Sequence, residues 1–181
     1  MIKYFRTVVY SVVFIGISGL CTSAFSGSFD DFFIAIRNDN VGKLSDLLQR
    51  GFDPNTRNEK GQPGLTVAMR EQSPKVARML VDQPAIDVNA LNLSGESALM
   101  IAAIKGDLPS VKLLLDRGAR VNQPGWTALH YAASVGFIEG VQLLLDGNAD
   151  VNAQRYGRTP LDLARECHQD AVVKLLGEHK R

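Results

Sequence analysis

The sequence has few of the residue types from which most enzyme and metal sites are built. Its 181 residues include two cysteines, three histidines and one tryptophan. No Cys-x-x-Cys pair, His-Glu-x-x-His motif or glycine-rich phosphate loop is present. We therefore predict that the chain is not an enzyme and holds no metal and no cofactor. A hydrolase or redox site around Cys167 and His168 is an alternative that the absence of a triad pattern disfavours.

An excess of charge of one sign is also absent. The chain has 20 basic and 19 acidic residues, and its charged clusters mix both signs. Proteins that bind nucleic acid need a clustered basic face because the phosphate backbone dominates that interaction. We predict no nucleic-acid partner.

Long apolar runs are absent except near the N-terminus, where an uncharged segment extends from Val8 to Leu20. It is shorter than the roughly 20 residues that a membrane-spanning helix needs. Two basic residues precede it, and small residues follow it, with cleavage expected near Ala24 or Ser26. We predict a signal peptide in residues 1–26, a mature protein that is periplasmic or secreted, and no membrane segment after cleavage. The alternative is an uncleaved leader that anchors the chain in the inner membrane.

Cysteine is too scarce for a disulfide in the mature chain. Cys21 is removed with the predicted leader, which leaves Cys167 alone. Two interpretations of Cys167 remain open: an ordinary buried thiol, or a reactive thiol that pairs with another molecule.

What is present is a repeat. Glycines recur at Gly61, Gly95, Gly125 and Gly157, separated by 34, 30 and 32 residues. The last three begin the related segments GESALMIAA, GWTALHYAA and GRTPLDLA. A period of about 33 residues is typical of one helical unit stacked on itself.

Each repeat contains two apolar patterns with helical spacing. In the first, Leu99, Ala102 and Ala103 lie at i, i+3 and i+4, and the alanines allow close approach of a neighbour. The second pattern recurs as VKLLLDRGARVN and VQLLLDGNADVN. Gly118 and Asn148 follow these second helices, where a left-handed residue satisfies free carbonyl groups. Ser73-Pro74 and Asp107-Leu108-Pro109 are predicted to cap and begin second helices.

The consensus G-x-T-P-L-H-x-A-A, followed by V-x-L-L-L-x-x-G-A-D-V-N, resembles that of the ankyrin-repeat family. The resemblance covers residues 29–181 and implies an all-α solenoid of about five helix–turn–helix units with short hairpin loops. The expected units are 29–60, 61–94, 95–124, 125–156 and 157–181, the first and last being atypical because one side faces water. Only Gln123 and Pro124 separate Asn122 from Gly125, so the hairpin after the third unit should be truncated.

The resemblance assigns structural roles to most of the polar residues that recur. It implies that His130 hydrogen-bonds backbone between units, and that Thr127, Thr159 and Ser97 cap first helices. Asparagines recur where each loop begins and should satisfy loop backbone groups. These are Asn55, Asn89, Asn122 and Asn152.

The resemblance also implies a function, which is binding of another protein through the concave surface of hairpins and first helices. Trp126, Tyr156 and Arg158 are the leading candidates because such residues dominate interface hot spots. Trp126 has a second interpretation, as a cover for the neighbouring hairpin. The remaining candidates are Glu96, Arg70, Lys105 and Val135. We predict a monomeric binding scaffold; the alternative is an immunity-type or protective factor that masks a toxin or enzyme in the same compartment.

Overall fold

The computed structural model describes residues 22–179, with side chains from residue 27 onward. Between those bounds the chain forms ten α-helices. They are α1 (Thr22–Arg37), α2 (Val41–Gln49), α3 (Gly64–Glu71), α4 (Pro74–Val81), α5 (Ala98–Ile104), α6 (Leu108–Asp116), α7 (Ala128–Ser134), α8 (Ile138–Asp146), α9 (Pro160–Glu166) and α10 (Asp170–His179). None of these helices combines the length and hydropathy that crossing a bilayer requires.

Most of the predicted leader lies outside the described residues. The predicted cleavage positions, Ala24 and Ser26, fall within the first turns of α1. The signal peptide therefore stays a prediction.

The helices pair into five units and stack in chain order. The first helices of successive units contact one another from α1 through α3, α5 and α7 to α9. The second helices do the same from α2 through α4, α6 and α8 to α10. In the described part of the chain the extended backbone is limited to two isolated bridges, Arg57 with Pro63 and Arg155 with Arg158. The predicted all-α stack of two-helix units is confirmed.

Burial follows from this stacking. Residues 98–103 of α5 are all buried, because α3, α7 and α6 surround that helix. Ala102 and Ala103 are fully buried, and their small side chains allow neighbouring first helices to come close. In the first unit Phe32 and Ala35 occupy the corresponding core positions and are fully buried. One continuous core thus extends through the five layers, as expected when no unit can cover its own apolar face.

The helix ends form largely as the sequence predicts. Gly118 and Asn148 have φ values of 79° and 62°, in the left-handed region, and each follows the C-cap residue of its helix, α6 or α8. The Asp107 carboxylate caps α6 by accepting from the Ser110 backbone N–H at 3.2 Å. Ser73 precedes Pro74 at the start of α4 as expected, but its side chain makes no capping hydrogen bond, so that part of the prediction is wrong.

Loop asparagines connect successive units. The side chains of Asn55, Asn89 and Asn122 each donate to a carbonyl of the next unit and accept from a backbone N–H two residues beyond that carbonyl. The carbonyls belong to Ala85, Gly118 and Asn148, at 2.7, 3.4 and 2.8 Å. The amides belong to Asp87, Arg120 and Asp150, at 2.8, 2.7 and 2.8 Å. Asn152 makes no such bridge among the described residues, so the expected role is confirmed at three of the four positions.

The loop between the third and fourth units is irregular, as its length predicts. Residues 120–127 contain bends, whereas the loops at 57–63 and 155–158 close through a backbone bridge. Gln123 in this loop is buried, and its Nε2 has no hydrogen-bond partner among the described residues.

The start of the second unit leaves one buried hydroxyl without a partner. In the later units the side chain at the consensus histidine position accepts from the capping residue's backbone N–H. In the second unit Pro63 stands at the capping position and has no N–H to donate. Thr66, at the histidine position, is fully buried, and its Oγ1 has no partner in the described part of the chain.

We expect Thr66→Val to raise the free energy of unfolding by about 1 kcal/mol, because the substitution removes an unsatisfied buried hydroxyl while keeping the shape. Urea unfolding of purified protein measures this effect. Thr127→Val is the matched control. The Thr127 hydroxyl caps α7, so its removal should lower stability by about 1 kcal/mol. Destabilisation of similar size by both variants would contradict the assignment.

Candidate functional site

The candidate site is the first-helix face, by which we mean the exposed residues at the C-terminal ends of α3, α5, α7 and α9 together with the loops that precede α5, α7 and α9. Six large apolar side chains are exposed in the described part of the chain. Four of them lie on this face, namely Leu93, Ile104, Val135 and Tyr156. The other two are Ile34, in the last turn of the first helix α1, and Ile138 in the second helix α8. The repeat therefore collects its exposed apolar side chains mainly on one face.

A carboxylate at the centre of this face joins three consecutive units. Glu96 Oε2 accepts from the Asn92 amide at 2.7 Å and pairs with the Arg70 guanidinium at 3.3 Å. Glu96 Oε1 accepts from the Tyr131 hydroxyl at 3.1 Å. Burial and the nearby Glu96 charge raise the pKa of Tyr131 to about 12, so the phenol stays protonated and continues to donate. Two predicted contact residues, Arg70 and Glu96, thus belong to one network.

Trp126 lies against its own unit. It is half-buried, and its ring centroid is 5.1 Å from His130 in an edge-on arrangement and 6.3 Å from Tyr131. Part of its surface therefore packs on the fourth unit and part faces solvent. Its role as a contact residue stays a prediction, since a structural contribution accounts for the buried part.

His130 has the structural role that the resemblance implies. It is fully buried; its Nδ1 accepts from the Thr127 backbone N–H at 3.2 Å, and its Nε2 donates to the Arg158 carbonyl at 3.2 Å. The imidazole therefore connects the fourth unit to the fifth. Burial lowers the pKa of His130 below its usual value of 6.5, against the opposing effect of the Arg158 carbonyl.

We expect stability to fall as the pH drops below about 6.5 because of His130. The unfolded chain then takes up a proton that the folded state, with its lower pKa, does not, so the unfolded state is favoured. The effect is limited to about 1.4 kcal/mol per pH unit between the two pKa values. Urea unfolding at pH 7.5, 6.5 and 5.5 measures it. A His130→Asn variant, which keeps His168 and His179, should show a smaller decrease over this range, and an equal decrease would refute the assignment.

Tyr156 and Arg158 lie at the loop that enters the last unit. Tyr156 is 78% exposed, and the Arg155 guanidinium stacks over its ring at 4.2 Å while donating to its hydroxyl at 2.8 Å. Arg158 pairs with Glu166 at 3.4 Å, with both side chains about half exposed. The loop thus presents an exposed tyrosine ring with an arginine stacked on it, and tyrosine and arginine are both enriched in interface hot spots.

Lys105 and Val135 complete the predicted set. Each directly follows its first helix, Lys105 after α5 and Val135 after α7, and both are exposed. Lys105 and Val135 thus lie at the C-terminal ends of first helices, whereas Trp126, Tyr156 and Arg158 lie in the loops that precede first helices.

Sequence reasoning missed a cavity of about 410 Å³ at the N-terminal end of this face. Phe29, Phe33 and Val67 contribute apolar surface to it. The charged side chains around it are of both signs, namely Asp30, Arg37, Glu59, Lys60 and Glu71. The sequence signal that could have indicated this cavity is the i, i+4 spacing of Phe29 and Phe33, which places both on a helix face next to the core residue Phe32.

The two side chains that the sequence offers most readily for chemistry, His130 and Cys167, lie in different surroundings. No group of three or more metal-ligating side chains comes together among residues 22–179. His130, fully buried with both ring nitrogens bonded to backbone, is placed to join units and not to transfer protons. Cys167 is exposed at the end of α9, so the interpretation as a buried thiol is wrong.

Comparison with known proteins gives a consistent family. The family model described as ankyrin repeats (three copies) matches residues 32–124 and 120–181. "Transient receptor potential cation channel subfamily A member 1" of Homo sapiens is 29% identical over 86 residues, or 48% of this chain and 8% of that protein. "Alpha-latrocrustotoxin-Lt1a" of Latrodectus tredecimguttatus is 34% identical over 91 residues, or 50% of this chain and 6% of the toxin. "I-Kappa-B like protein C2" of Microplitis demolitor bracovirus is 30% identical over 87 residues, or 48% of both chains. The matches span less than half of the length of each of these relatives. Ankyrin repeats generally mediate protein–protein binding.

Proposed function

Because the chain belongs to the ankyrin-repeat family, we propose that it is a non-catalytic scaffold that binds another protein through the first-helix face. The observation that carries the proposal is the collection of exposed apolar side chains there. Leu93, Ile104, Val135 and Tyr156 lie on that face, beside the cations Lys105 and Arg158. Apolar and aromatic anchors within a polar rim are typical of protein interfaces, and tyrosine and arginine are enriched in their hot spots.

The stack presents these side chains at helix ends and in loops between packed units. Their positions follow from core packing and from the asparagine bridges between units, which exist before any partner arrives. Little ordering entropy is then lost on association, which favours affinity. We propose that the scaffold itself is a monomer. The last helix exposes charged residues, among them Lys174 and Glu178, and a polar outer face on a terminal unit disfavours stacking of a second copy there.

The test uses the exported protein as bait in an extract of its own compartment. We expect a stoichiometric partner, whose capture is weakened by Tyr156→Ala combined with Val135→Ala, at a cost of up to about 2 kcal/mol per anchor. Ile138→Ala is the matched control, because Ile138 and Val135 are both 43% exposed but Ile138 lies on a second helix. Equal capture by the double variant and the wild-type protein would refute the proposed face. A captured toxin or enzyme that loses activity on binding would favour the protective role.

We also propose that residues 1–26 direct export to the bacterial periplasm or the medium. The support is the charge pattern and apolar length of the leader. Fusion of these residues to a phosphatase that is active only after export should give activity and a processed reporter. Activity without processing would favour the uncleaved anchor, and an inactive fusion would exclude both forms of export.

A further inference from the structure

A small groove between α3 and α5 has a definite chemical character. It has a volume of about 320 Å³ and is lined by Arg70, Ile101, Ile104 and Lys105. Ile101 is 3% exposed and forms the apolar floor, while Ile104 is 39% exposed and extends the apolar surface outward. Each helix contributes one cation beside this apolar surface: α3 contributes Arg70, and the end of α5 contributes Lys105.

The positive charge of the groove is only partly neutralised. The Arg70 side chain is 40% exposed and has a single partner in the described part of the chain, Glu96, at 3.3 Å; its Nε has none. That carboxylate is shared, because it also accepts from Asn92 and Tyr131. The Lys105 side chain is exposed, and its ammonium forms no ion pair or hydrogen bond with any residue the structure describes.

The neighbouring cavity along the same face differs in this respect. The cavity at Phe29 and Phe33 has Asp30, Glu59 and Glu71 around it as well as Arg37 and Lys60, so it favours neither sign. Of these two sites, the groove between α3 and α5 is therefore the one whose lining favours an anionic ligand.

We infer that this groove binds a segment of a partner protein in which an aspartate or glutamate lies close to an aliphatic side chain. This inference rests on the proposed protein-binding function and names the chemistry of the partner. The carboxylate accepts from the exposed donors of Arg70 and from the Lys105 ammonium, as charge-assisted hydrogen bonds. The aliphatic side chain lies on Ile101 and Ile104, where it removes apolar surface from water.

The experiment selects random peptides displayed on phage against the wild-type protein. The enriched peptides are synthesised, and their affinities are measured by fluorescence polarisation at low and high salt. We expect an Asp or Glu within two positions of Leu, Ile or Val, and affinity that falls as salt rises. Arg70→Gln combined with Lys105→Gln should weaken binding at least about tenfold.

Two controls separate charge recognition from a fold defect. Arg78→Gln combined with Lys112→Gln makes the same charge change at exposed positions on second helices and should leave the affinity unchanged. Lys105→Glu disturbs no hydrogen bond or ion pair of the described chain. It should weaken the acidic peptide and strengthen binding of the same peptide with its acid replaced by lysine.

Each of four results would overturn the inference. Two concern the selection, namely that no binding peptide is enriched or that the enriched peptides lack an acid. The other two concern the variants, namely that the Arg70 and Lys105 double variant binds as tightly as wild type or that Lys105→Glu shows no exchange of preference. The proposed function is judged separately, by loss of partner capture in the Tyr156 and Val135 double variant. If that loss is seen while the groove variants behave like wild type, the face is a binding surface but this groove is not its acidic subsite.

Discussion

Replacement of His130 by alanine is expected to lower the free energy of unfolding by about 3 kcal/mol. The side chain is fully buried, so truncation leaves a cavity. It also leaves the buried Thr127 backbone N–H without its partner, at a cost of about 1–3 kcal/mol. The Arg158 carbonyl loses the His130 donor but still accepts from the Arg155 backbone N–H. Urea unfolding monitored by circular dichroism measures the total loss.

The loss should be concentrated at one end of the chain. Stability in a stack is the sum of unit terms and nearest-neighbour interfaces, and His130 connects the fourth unit to the fifth. Amide hydrogen exchange should therefore accelerate most in α9 and α10 and least in α1 and α2. His168→Asn is the control, because His168 is exposed, has a φ of 57°, and asparagine tolerates that conformation. Exchange that accelerates equally in all ten helices would contradict this account.

The repeat made most of the scaffold predictable. A period near 33 residues places the glycines, caps and apolar pairs in register, so a residue that ends one helix predicts its counterpart in the next unit. Gly118 and Asn148 are both left-handed for this reason, although their side chains differ. The period also predicts that residues about one repeat apart, such as Arg70 and Lys105, lie on neighbouring helices.

The periodic pattern does not predict the rotamers or the hydrogen-bond partners of individual side chains. Nothing in it indicates that Glu96 accepts from both Arg70 and Tyr131, since that choice depends on rotamers in the packed stack. The consequences of a departure from the pattern cannot be predicted from the sequence either. Pro63 looks like a minor variation of the capping residue, yet it removes the N–H that its counterparts supply and leaves the Thr66 hydroxyl without a partner among the described residues.

The first unit shows a departure with a compensating change. Phe32 stands where the consensus has leucine, and its ring is fully buried. Gly64 begins α3 directly against that ring, where the consensus has proline. A Cβ on Gly64 would lie 2.7 Å from Phe32 Cε1 and 2.9 Å from Cζ, closer than carbon atoms approach without movement. The larger ring in α1 and the missing side chain in α3 therefore fit each other.

Gly64→Ala is consequently expected to destabilise the protein by about 2 kcal/mol, because overpacking forces a rigid, buried ring to move. Phe32→Leu alone should cost about 1 kcal/mol through lost packing. The double variant should be more stable than the sum of these losses predicts, by about 1 kcal/mol, since leucine leaves room for the new methyl group. Urea unfolding of the wild-type protein, the two single variants and the double variant gives the four free energies of unfolding that this double-mutant cycle needs.

Gly177→Ala is the control for helix propensity in this experiment. Gly177 lies in α10, and a Cβ added there would have no neighbouring atom within 4 Å, so alanine should stabilise that helix by up to about 1 kcal/mol. Opposite signs at the two glycines would show that contact with Phe32 decides the outcome at Gly64. If the losses at Gly64 and Phe32 are additive instead, the two residues are not matched, and the close approach of α1 and α3 has another cause.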